Sequence, residues 1–455
     1  MVSFFDHQVG AVRKLLPVLQ QTGGAYVAHD VGTGKTLTAL IMTRLLKVNR
    51  VLVLTPVVGI GVWLREINKW WPTAPAAAFR GGTHLPLAEG FVVTNYDQLS
   101  NGKGEVRLRA LFSWAPELLI LDEAHYCKNP TAKRTRAIFR LAKGTHYRLL
   151  LSGTQAHTPL DWWAQYRIVA PQDPVWAQKF RTYREKLAIM GGPQQNWVVG
   201  FRPSEKEAAL RAMAPYTHVA SSAELKLPAP VETIVPVQLG GEEQRVYAAM
   251  EKHFVAELTD GGETDAATVL VKALRLHQIA SGVTTDTDGQ TRIVGSAKLR
   301  ACLDLIEERA HQKVVVACRF REELRRLAEA LRKMKRPYMV IDGSVSPETR
   351  TDHENRFQRE DKPYVMLLQN RAGGVAITLT AAKALILSSL DPSVITFQQV
   401  VGRVWRAGQT GHVQILPLIA ENTIDAKLYA GLQQGLDSVA LARLLAEDAA
   451  WRVAA

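Results

Sequence analysis

Residues 27–40 read VAHDVGTGKTLTAL, and this stretch decides how the N-terminal half of the chain is interpreted. A short apolar run precedes a glycine-rich loop, and Leu37, Leu40 and Ile41 follow the loop at helical spacing. A loop that leads from a strand into a helix suits phosphate, because its backbone N–H groups can wrap the anion and the helix N-terminus favours negative charge. The stretch therefore predicts a nucleotide site on a strand–loop–helix unit.

The loop contains the residue types that a nucleoside triphosphate requires. Lysine carries charge for the β- and γ-phosphates, and a threonine hydroxyl suits Mg²⁺. The predicted ATP-binding residues are Gly32, Thr33, Gly34, Lys35 and Thr36. Lys35 is also a predicted catalytic residue, and Thr36 a predicted Mg²⁺ ligand. His29 stands where the first glycine of such loops is usual.

A second motif, LLILDEAH at 118–125, is an apolar strand that ends in two carboxylates. Asp122 at the strand end is suited to the Mg²⁺ shell, and Glu123 is suited to orienting and deprotonating the attacking water. The alternative is an ordinary acidic turn after a strand, which the accompanying phosphate loop disfavours. The pair predicts nucleotide hydrolysis.

A third motif, QQVVGRVWRAGQ at 398–409, carries two arginines three residues apart. On a helix this spacing places Arg403 and Arg406 on one face. Paired arginines neutralise charge on a transferring phosphoryl group. The alternative is a solvated basic face.

Short apolar runs alternate with helical patterns in both halves, which predicts an α/β fold with parallel sheets buried on both faces. A helix is predicted over 322–334, an extended linker over 226–236, and domains at 1–230 and 231–455. The first domain is expected to carry a helical insertion near 165–225, and the second a helical elaboration near 240–310. Strands are predicted near 51–55, 91–94, 118–121, 148–151, 313–318, 338–341, 364–368, 384–387 and 413–418.

Composition limits the class of protein. The 455 residues are 47% hydrophobic, and the sequence predicts neither a signal peptide nor a membrane span. The three cysteines form no CxxC pair, so neither a zinc site nor a disulfide framework is expected. We therefore expect a cytoplasmic protein. The formal charge of +13 favours a polyanionic partner.

The order GxGKT, DEAH, SGT (152–154) and QxxGRxxR (399–406) resembles the superfamily-two helicase-like ATPases. DEAHYCKNPTAK, IDGSVSPETR and RAGQTGHV resemble the chromatin-remodeller branch, of the sucrose-non-fermenting type. The likeness runs from about residue 4 to about residue 430, and it implies two RecA-like lobes that close on ATP and Mg²⁺. That branch commonly has an acidic residue at the first loop position, so His29 is an unusual variant of an already altered position.

The resemblance also implies roles that the residue pattern alone does not give. Gln8 is implied to read the adenine edge, with a glutamine on the helix surface as the alternative. Gln399 is implied to face the γ-phosphate, and Ser152 and Thr154 to couple the lobes. The implied DNA contacts are Thr55, Pro56, Thr94, Arg319, Arg371, Gly373 and Gly374.

Some segments depart from the family or allow two interpretations. No arginine pair precedes the LP of the linker, and Ala376 and Thr378 stand where glycine and asparagine are usual. The basic segment 128–144 suits a DNA-facing or a solvated helix equally. The aromatic run WLREINKWW at 63–71 favours core packing over base stacking.

The sequence predicts a compact translocase on duplex DNA, like the members in prokaryotes and their viruses. It would be associated with the nucleoid, or with the host cytoplasm if viral, and replication, repair or recombination proteins are possible partners. Two alternatives stay open. One is a strand-separating or branch-migrating helicase, and the other is a nucleotide-switched DNA-binding scaffold with little turnover.

Overall fold

The computed structural model describes residues 4–444, apart from 58, 101, 154–157, 192–196, 222–223, 225–226, 260–265, 286–289, 371–376, 410, 437–440 and 442–443. The chain divides into two compact units, Met1–Lys226 and Leu227–Ala455. The sequence predicts the boundary after residue 230.

The first unit is built on a parallel sheet of seven strands in the order β3-β4-β2-β5-β6-β1-β9. Its strands are β1 (Gly24–His29), β2 (Arg50–Thr55), β3 (Ala76–Ala78), β4 (Gly90–Asn95), β5 (Leu118–Asp122), β6 (Tyr147–Leu151) and β9 (Thr217–Ala220), with a separate hairpin of β7 (Ala188–Gly191) and β8 (Trp197–Phe201). Its helices are α1 (Asp6–Thr22), α2 (Lys35–Leu46), α3 (Gly59–Trp70), α4 (Gly104–Trp114), α5 (Lys133–Gly144), α6 (Pro159–Val169), α7 (Pro174–Ala177), α8 (Phe180–Leu187) and α9 (Pro203–Met213).

Both faces of this sheet are covered, which explains why its strands are continuously apolar. Side chains alternate across a strand, so Val51 and Val53 of β2 pack with helices α1 to α3 on one face. Leu52 and Leu54 pack with helices α4 to α6 on the other face. Because every strand is parallel, the carboxyl ends of β1 and β5 lie at the same edge.

The second unit is built on another parallel sheet, in the order β10-β18-β17-β14-β16-β15, with β11 also paired to β18. Its strands are β10 (Val231–Glu232), β11 (Val235–Val237), β14 (Val314–Cys318), β15 (Tyr338–Ile341), β16 (Val365–Gln369), β17 (Ala384–Leu387) and β18 (Gln414–Ala420), with a hairpin of β12 (Val283–Thr285) and β13 (Thr291–Ile293). Its helices are α10 (Gly241–Thr259), α11 (Ala266–Ala280), α12 (Ala297–Glu307), α13 (Arg321–Lys333), α14 (Pro347–Arg359), α15 (Val394–Val404) and α16 (Asp425–Gln433).

All nine predicted strands are present, and helix α13 confirms the helix predicted over 322–334. The α/β class with parallel sheets flanked by helices is therefore confirmed. The predicted linker needs a correction, because β10 and β11 pair in parallel with β18. From Val231 onward this segment is extended but forms part of the second sheet. Its prolines are accommodated because strands paired on one side need few N–H donors.

A buried ionic network holds helices of the second unit against its sheet. Lys298 of α12 and His277 of α11 both contact the Asp425 carboxylate of α16, at 2.5 and 2.9 Å. His277 also accepts a hydrogen bond from the Leu390 backbone N–H at 3.2 Å. All three side chains are buried, so removal of Lys298 or Asp425 would leave an uncompensated charge. The network fixes the segment that leads into α15.

None of the described helices combines the length and the apolar character that crossing a membrane requires. Within the same residues, no three His, Cys, Asp or Glu side chains are grouped so that they could hold a metal ion.

Candidate functional site

The predicted phosphate loop lies between the end of β1 and the start of α2. Gly32 and Gly34 have φ angles of 85° and 82°, in the left-handed region that favours glycine. A Cβ atom added to Gly34 would lie 2.5 Å from the Gln8 amide nitrogen, so any other residue there would displace the Gln8 side chain. Thr33 is buried and closes the loop by donating its hydroxyl to the Asp30 carbonyl at 2.7 Å.

Lys35 begins helix α2 and reaches back over the loop. Its Nζ donates to the carbonyl oxygens of His29 and Asp30, at 2.9 and 3.0 Å. Thr36 follows on the first turn and is half-buried. The ammonium group is therefore held beside the loop by backbone oxygens, and the N-terminal N–H groups of α2 are directed toward the same loop.

Gln8 lies beneath this loop, and its side chain is only 2% exposed. Its Oε1 accepts from the Phe5 N–H at 3.1 Å, and its Nε2 donates to the Gly34 carbonyl at 3.3 Å. A glutamine on the helix surface is thereby excluded. An amide has two donor hydrogens and two acceptor lone pairs, so one of each remains after these bonds. Adenine recognition by Gln8 stays a prediction.

His29 points away from the loop that its backbone helps to form. Its fully buried ring places Nε2 2.9 Å from Nδ1 of His218, on the neighbouring strand β9. His7 of α1 packs edge-on against His29 and contacts the Thr33 carbonyl at 2.8 Å. Burial lowers the pKa of His29 to about 3, and the charges of His218, His7 and Lys35 act in the same direction. The ring is therefore neutral and structural.

The two predicted carboxylates lie at the end of β5. Asp122 Oδ2 accepts from the Thr55 hydroxyl and from the Trp63 indole N–H, both at 2.9 Å. Its Oδ1 accepts from the Glu123 N–H at 3.1 Å. Burial raises the pKa of Asp122, as does the Glu123 charge, while the Trp63 hydrogen bond and the Lys35 charge oppose the rise. The first unit thus brings the carboxylates and Lys35 within electrostatic range.

Glu123 has a left-handed backbone, with φ 55° and ψ 54°, which is unusual for a residue other than glycine. Its Oε2 lies 3.3 Å from Nδ1 of His125. The same His125 nitrogen lies 3.3 Å from the Ser152 hydroxyl. The DEAH motif and the SGT motif are therefore joined through His125.

Of the predicted coupling residues, Ser152 is fully buried and Thr154 lies outside the described residues. The intervening Gly153 approaches the phosphate loop closely. A Cβ atom at Gly153 would lie 3.2 Å from the Val31 nitrogen and 3.3 Å from the His29 oxygen. Backbone contact thus links the SGT motif directly to the predicted phosphate loop.

Two of the predicted DNA contacts require a correction. The side chains of Thr55 and Thr94 are fully buried. Thr55 donates to Asp122, and Thr94 donates to the Phe79 carbonyl at 2.6 Å. Both hydroxyls therefore donate hydrogen bonds within the first unit and are not exposed to a DNA phosphate. Pro56, one residue beyond β2, is half-buried.

In the second unit, Gln399 and Arg403 lie on helix α15, where Gln399 is half-exposed and Arg403 is 5% exposed. Helix α15 ends at Val404, so Arg406 does not share a helical face with Arg403 as predicted. The reason is local, because Trp405 is extended and the Gln409 amide donates to the Val404 carbonyl at 3.0 Å.

Arg319 follows β14, and the hydroxyl of Ser389 fixes its backbone N–H at 2.7 Å. Ser389 in turn donates to the buried carboxylate of Glu323 at 2.5 Å. The other three predicted DNA contacts of this unit, Arg371, Gly373 and Gly374, lie outside the described residues.

Sequence reasoning missed Trp63 as a partner of Asp122 and His218 as a partner of His29. Trp63 was predicted to pack in the core, which its exposure of 1% confirms. No local sequence pattern predicts the hydrogen bond of its indole N–H to Asp122. His218 lies 189 residues from His29. Only the strand order of the sheet brings each pair together.

Family models match most of the chain. A model described as SNF2-related domain matches residues 7–282, and one described as helicase conserved C-terminal domain matches residues 297–408. The first alone covers more than half of the chain.

Curated relatives are similar over most of this chain. The chain is 26% identical to the nuclear protein STH1/NPS1 of Saccharomyces cerevisiae, over 95% of this chain and 34% of that protein. It is 25% identical to the mouse DNA annealing helicase and endonuclease ZRANB3, over 92% of this chain and 40% of that protein. The chain thus spans about a third of the first relative and two fifths of the second.

A Sulfolobus solfataricus SWI2/SNF2 ATPase core in complex with double-stranded DNA is 20% identical, with a TM-score of 0.46, over 99% of this chain and 94% of that chain. The family assignment depends on the two family models. The chain belongs to the SNF2-related family of helicase-like ATPases, and its two matched domains are those of an ATP-hydrolysing enzyme.

Proposed function

We propose that the chain is a DNA-dependent ATPase that translocates on duplex DNA, driven by closure of its two lobes on ATP. The observation that carries this proposal is the arrangement at one edge of the first sheet. The phosphate loop with Lys35 and the carboxylates of Asp122 and Glu123 follow parallel strands and interact electrostatically. This combination suits phosphoryl transfer to water.

The donor set of the first unit fits a nucleoside triphosphate and Mg²⁺. Gly32 and Gly34 hold the loop open to the phosphates, and the Lys35 ammonium moves from backbone carbonyls to phosphate oxygens. Thr36 and Asp122 would hold Mg²⁺, because hydroxyl and carboxylate oxygens are the ligands that this ion prefers. Bound Mg²⁺ supplies neutralisation of charge on the phosphate oxygens. Gln8 offers its remaining donor and acceptor to adenine.

Glu123 acts as the base that orients and deprotonates water. Its left-handed backbone costs on the order of 1–3 kcal/mol, a strain that persists where the surroundings impose it. Two hydrogen bonds do so here: Glu123 donates its N–H to Asp122, and its carbonyl accepts from the Tyr126 N–H at 3.0 Å. His125 orients the Glu123 carboxylate and also contacts Ser152. Through this contact, Ser152 and Thr154 couple hydrolysis to lobe movement.

The second unit completes catalysis when the lobes close. Arg403 and Arg406 neutralise charge that develops on the γ-phosphoryl group, and Gln399 faces the same group. Arg403 is largely buried on helix α15, whereas Arg406 lies beyond the end of that helix. The two guanidinium groups therefore reach the γ-phosphoryl group from backbone segments of different structure. Repeated closing and opening would move the protein along one strand.

DNA is gripped through its backbone. The formal charge of +13 suits a duplex, and phosphate contacts position a protein without reading sequence. Arg319, Arg371, Gly373 and Gly374 contribute from the second unit, and Pro56 from the first. Arg319 is well suited, since Ser389 fixes its backbone while its guanidinium group lies over the Phe320 ring.

The test is phosphate release across matched duplex, single-stranded and forked DNA and RNA, followed by triplex displacement and fork unwinding with ATP. We expect duplex DNA to stimulate hydrolysis and the third strand of a triplex to be displaced. Efficient fork unwinding without triplex displacement would establish a strand-separating helicase instead. Nucleotide binding with negligible turnover on every substrate would establish a nucleotide-switched scaffold.

A further inference from the structure

One oxygen of Asp122 receives two side-chain donors from the neighbouring strand and helix. The Thr55 hydroxyl at the end of β2 and the Trp63 indole N–H of α3 both lie 2.9 Å from Oδ2. The Glu123 N–H lies 3.1 Å from Oδ1. Each oxygen is therefore fixed from a known direction, and the carboxylate is confined to one orientation.

Trp63 is placed for this contact by the core of the first unit. Its ring is 1% exposed and packs in the same cluster as Ile60 and Ile67 of helix α3. An indole has one N–H and no acceptor, so a buried tryptophan needs a single partner in one direction. That partner is Asp122, which joins the hydrophobic core to the acidic end of β5.

The start of helix α3 is shaped to let both donors converge. A Cβ atom on Gly59, the first residue of α3, would lie 2.0 Å from the Thr55 hydroxyl oxygen. Only glycine allows the helix to begin this close to β2. Trp63 then follows one turn later, on the same side of the helix.

We propose that Trp63 is a positioning residue for the Mg²⁺-binding carboxylate, acting through its indole N–H on Asp122. The inference rests on the proposed function, in which Asp122 is a Mg²⁺ ligand. Partners that orient metal ligands typically change metal affinity by roughly 10–100-fold when they are removed. Trp63 therefore sets how tightly the first unit holds its divalent ion, without touching nucleotide or DNA.

The test uses Trp63→Phe, which keeps an aromatic ring and removes the N–H. Mn²⁺ binding to the full chain with a non-hydrolysable ATP analogue is measured by electron paramagnetic resonance, and hydrolysis is measured against Mg²⁺ concentration. We expect Mn²⁺ affinity to fall about tenfold, equivalent to about 1.4 kcal/mol. The half-saturating Mg²⁺ concentration should rise by a similar factor, while the rate at saturating Mg²⁺ falls much less.

The matched control is Trp70→Phe on the same helix, where the indole N–H donates to Glu66 Oε2 at 2.8 Å. It should behave as the wild type in both assays. Thr55→Val removes the second donor at nearly constant volume, and it should also weaken Mn²⁺ binding. This second variant keeps the proposal testable if Trp63→Phe folds poorly.

Three results would overturn the proposal. Unchanged Mn²⁺ affinity in both Trp63→Phe and Thr55→Val would show that the donors do not act on the metal. Equal weakening in Trp70→Phe would show a general effect of α3. A wild-type chain that hydrolyses no ATP and binds no Mn²⁺ with nucleotide would refute the proposed function, and the role of Trp63 with it.

Discussion

His29 allows a quantitative test of how the phosphate loop is held. The perturbation is His29→Asn, which removes the imidazole that contacts His218 beneath the loop. In the folded chain the pKa of His29 is lowered to about 3, first by burial and then by the charges of His218, His7 and Lys35. An unfolded histidine has a pKa of about 6.5.

The sign of the effect follows from proton binding. Above pH 6.5 neither state holds a proton at His29, and the neutral pair contributes its full stability. As the pH falls, the unfolded chain takes up a proton that the folded chain refuses, so the free energy of unfolding decreases. At about 1.36 kcal/mol per pH unit, the loss is about 2 kcal/mol at pH 5 and about 4 kcal/mol at pH 3. The pKa of His218 is also lowered, by burial and by the Lys14 charge.

The assay is urea unfolding at pH 7.5 and pH 5.0, followed by tryptophan fluorescence. Eight of the ten tryptophans lie in the first unit, so the signal reports mainly on the unit that contains His29. In His29→Asn the loss of stability between the two pH values should be smaller than in the wild type by about 2 kcal/mol. His84→Asn, at an exposed histidine of the same unit, serves as the control. Identical pH dependence in His29→Asn and wild type would refute the reasoning.

Other substitutions and salt test the remaining assignments. Lys35→Ala should keep the far-ultraviolet circular dichroism of the wild type and lose phosphate release; near-normal turnover in the folded variant would contradict the assigned site. Glu123→Gln should bind fluorescent ATP with Mg²⁺ and hydrolyse it very slowly, whereas failure to bind would mean that Asp122 and Glu123 exchange roles. Arg403→Ala and Arg406→Ala should each lower the rate of hydrolysis by roughly 10³–10⁵-fold with little change in ATP affinity; equal hydrolysis by the isolated N-terminal unit and the full chain would exclude their action across lobes. DNA affinity, measured by fluorescence anisotropy, should fall with a log–log salt slope of about −0.9 per phosphate neutralised; a flat dependence would argue against backbone contacts.

The central strands of both sheets were predictable because each is buried on both faces. Such strands are continuous apolar runs, and β15 and β17 match their predicted bounds. The strand–loop–helix at Lys35 and the carboxylates after β5 were predictable for a related reason. Parallel strands present their carboxyl ends at one edge, so motifs that follow strands are brought together.

Short edge strands were not predictable from the same signal. β3 has three residues and β10 has two, and both lie at the edge of a sheet. A strand paired on one side needs no long apolar run, and the prolines around β10 and β11 point to a linker instead. The extended conformation was foreseen there, but the pairing with β18 was not.

Contacts between segments that are far apart in the sequence could not be predicted either. His29 meets His218 because β9 pairs with β1, and Trp63 meets Asp122 because β2 and β5 are neighbours. Neither adjacency follows from spacing along the chain. The end of α15 at Val404 was missed for a different reason. The i, i+3 spacing of Arg403 and Arg406 suits a helix, whereas the backbone of Trp405 between them is extended.

The cysteines of this chain give an experimental advantage for following lobe movement. Cys127, Cys302 and Cys318 are all buried with no exposed surface, and burial raises the pKa of Cys127 to about 12 and that of the other two as well. Thiol reagents attack the thiolate, so all three native thiols resist labelling in the folded protein. A cysteine introduced on the surface of each unit would therefore accept a fluorophore selectively without removal of any native cysteine. Energy transfer between two such dyes, recorded with and without ATP, would report the distance between the units during turnover.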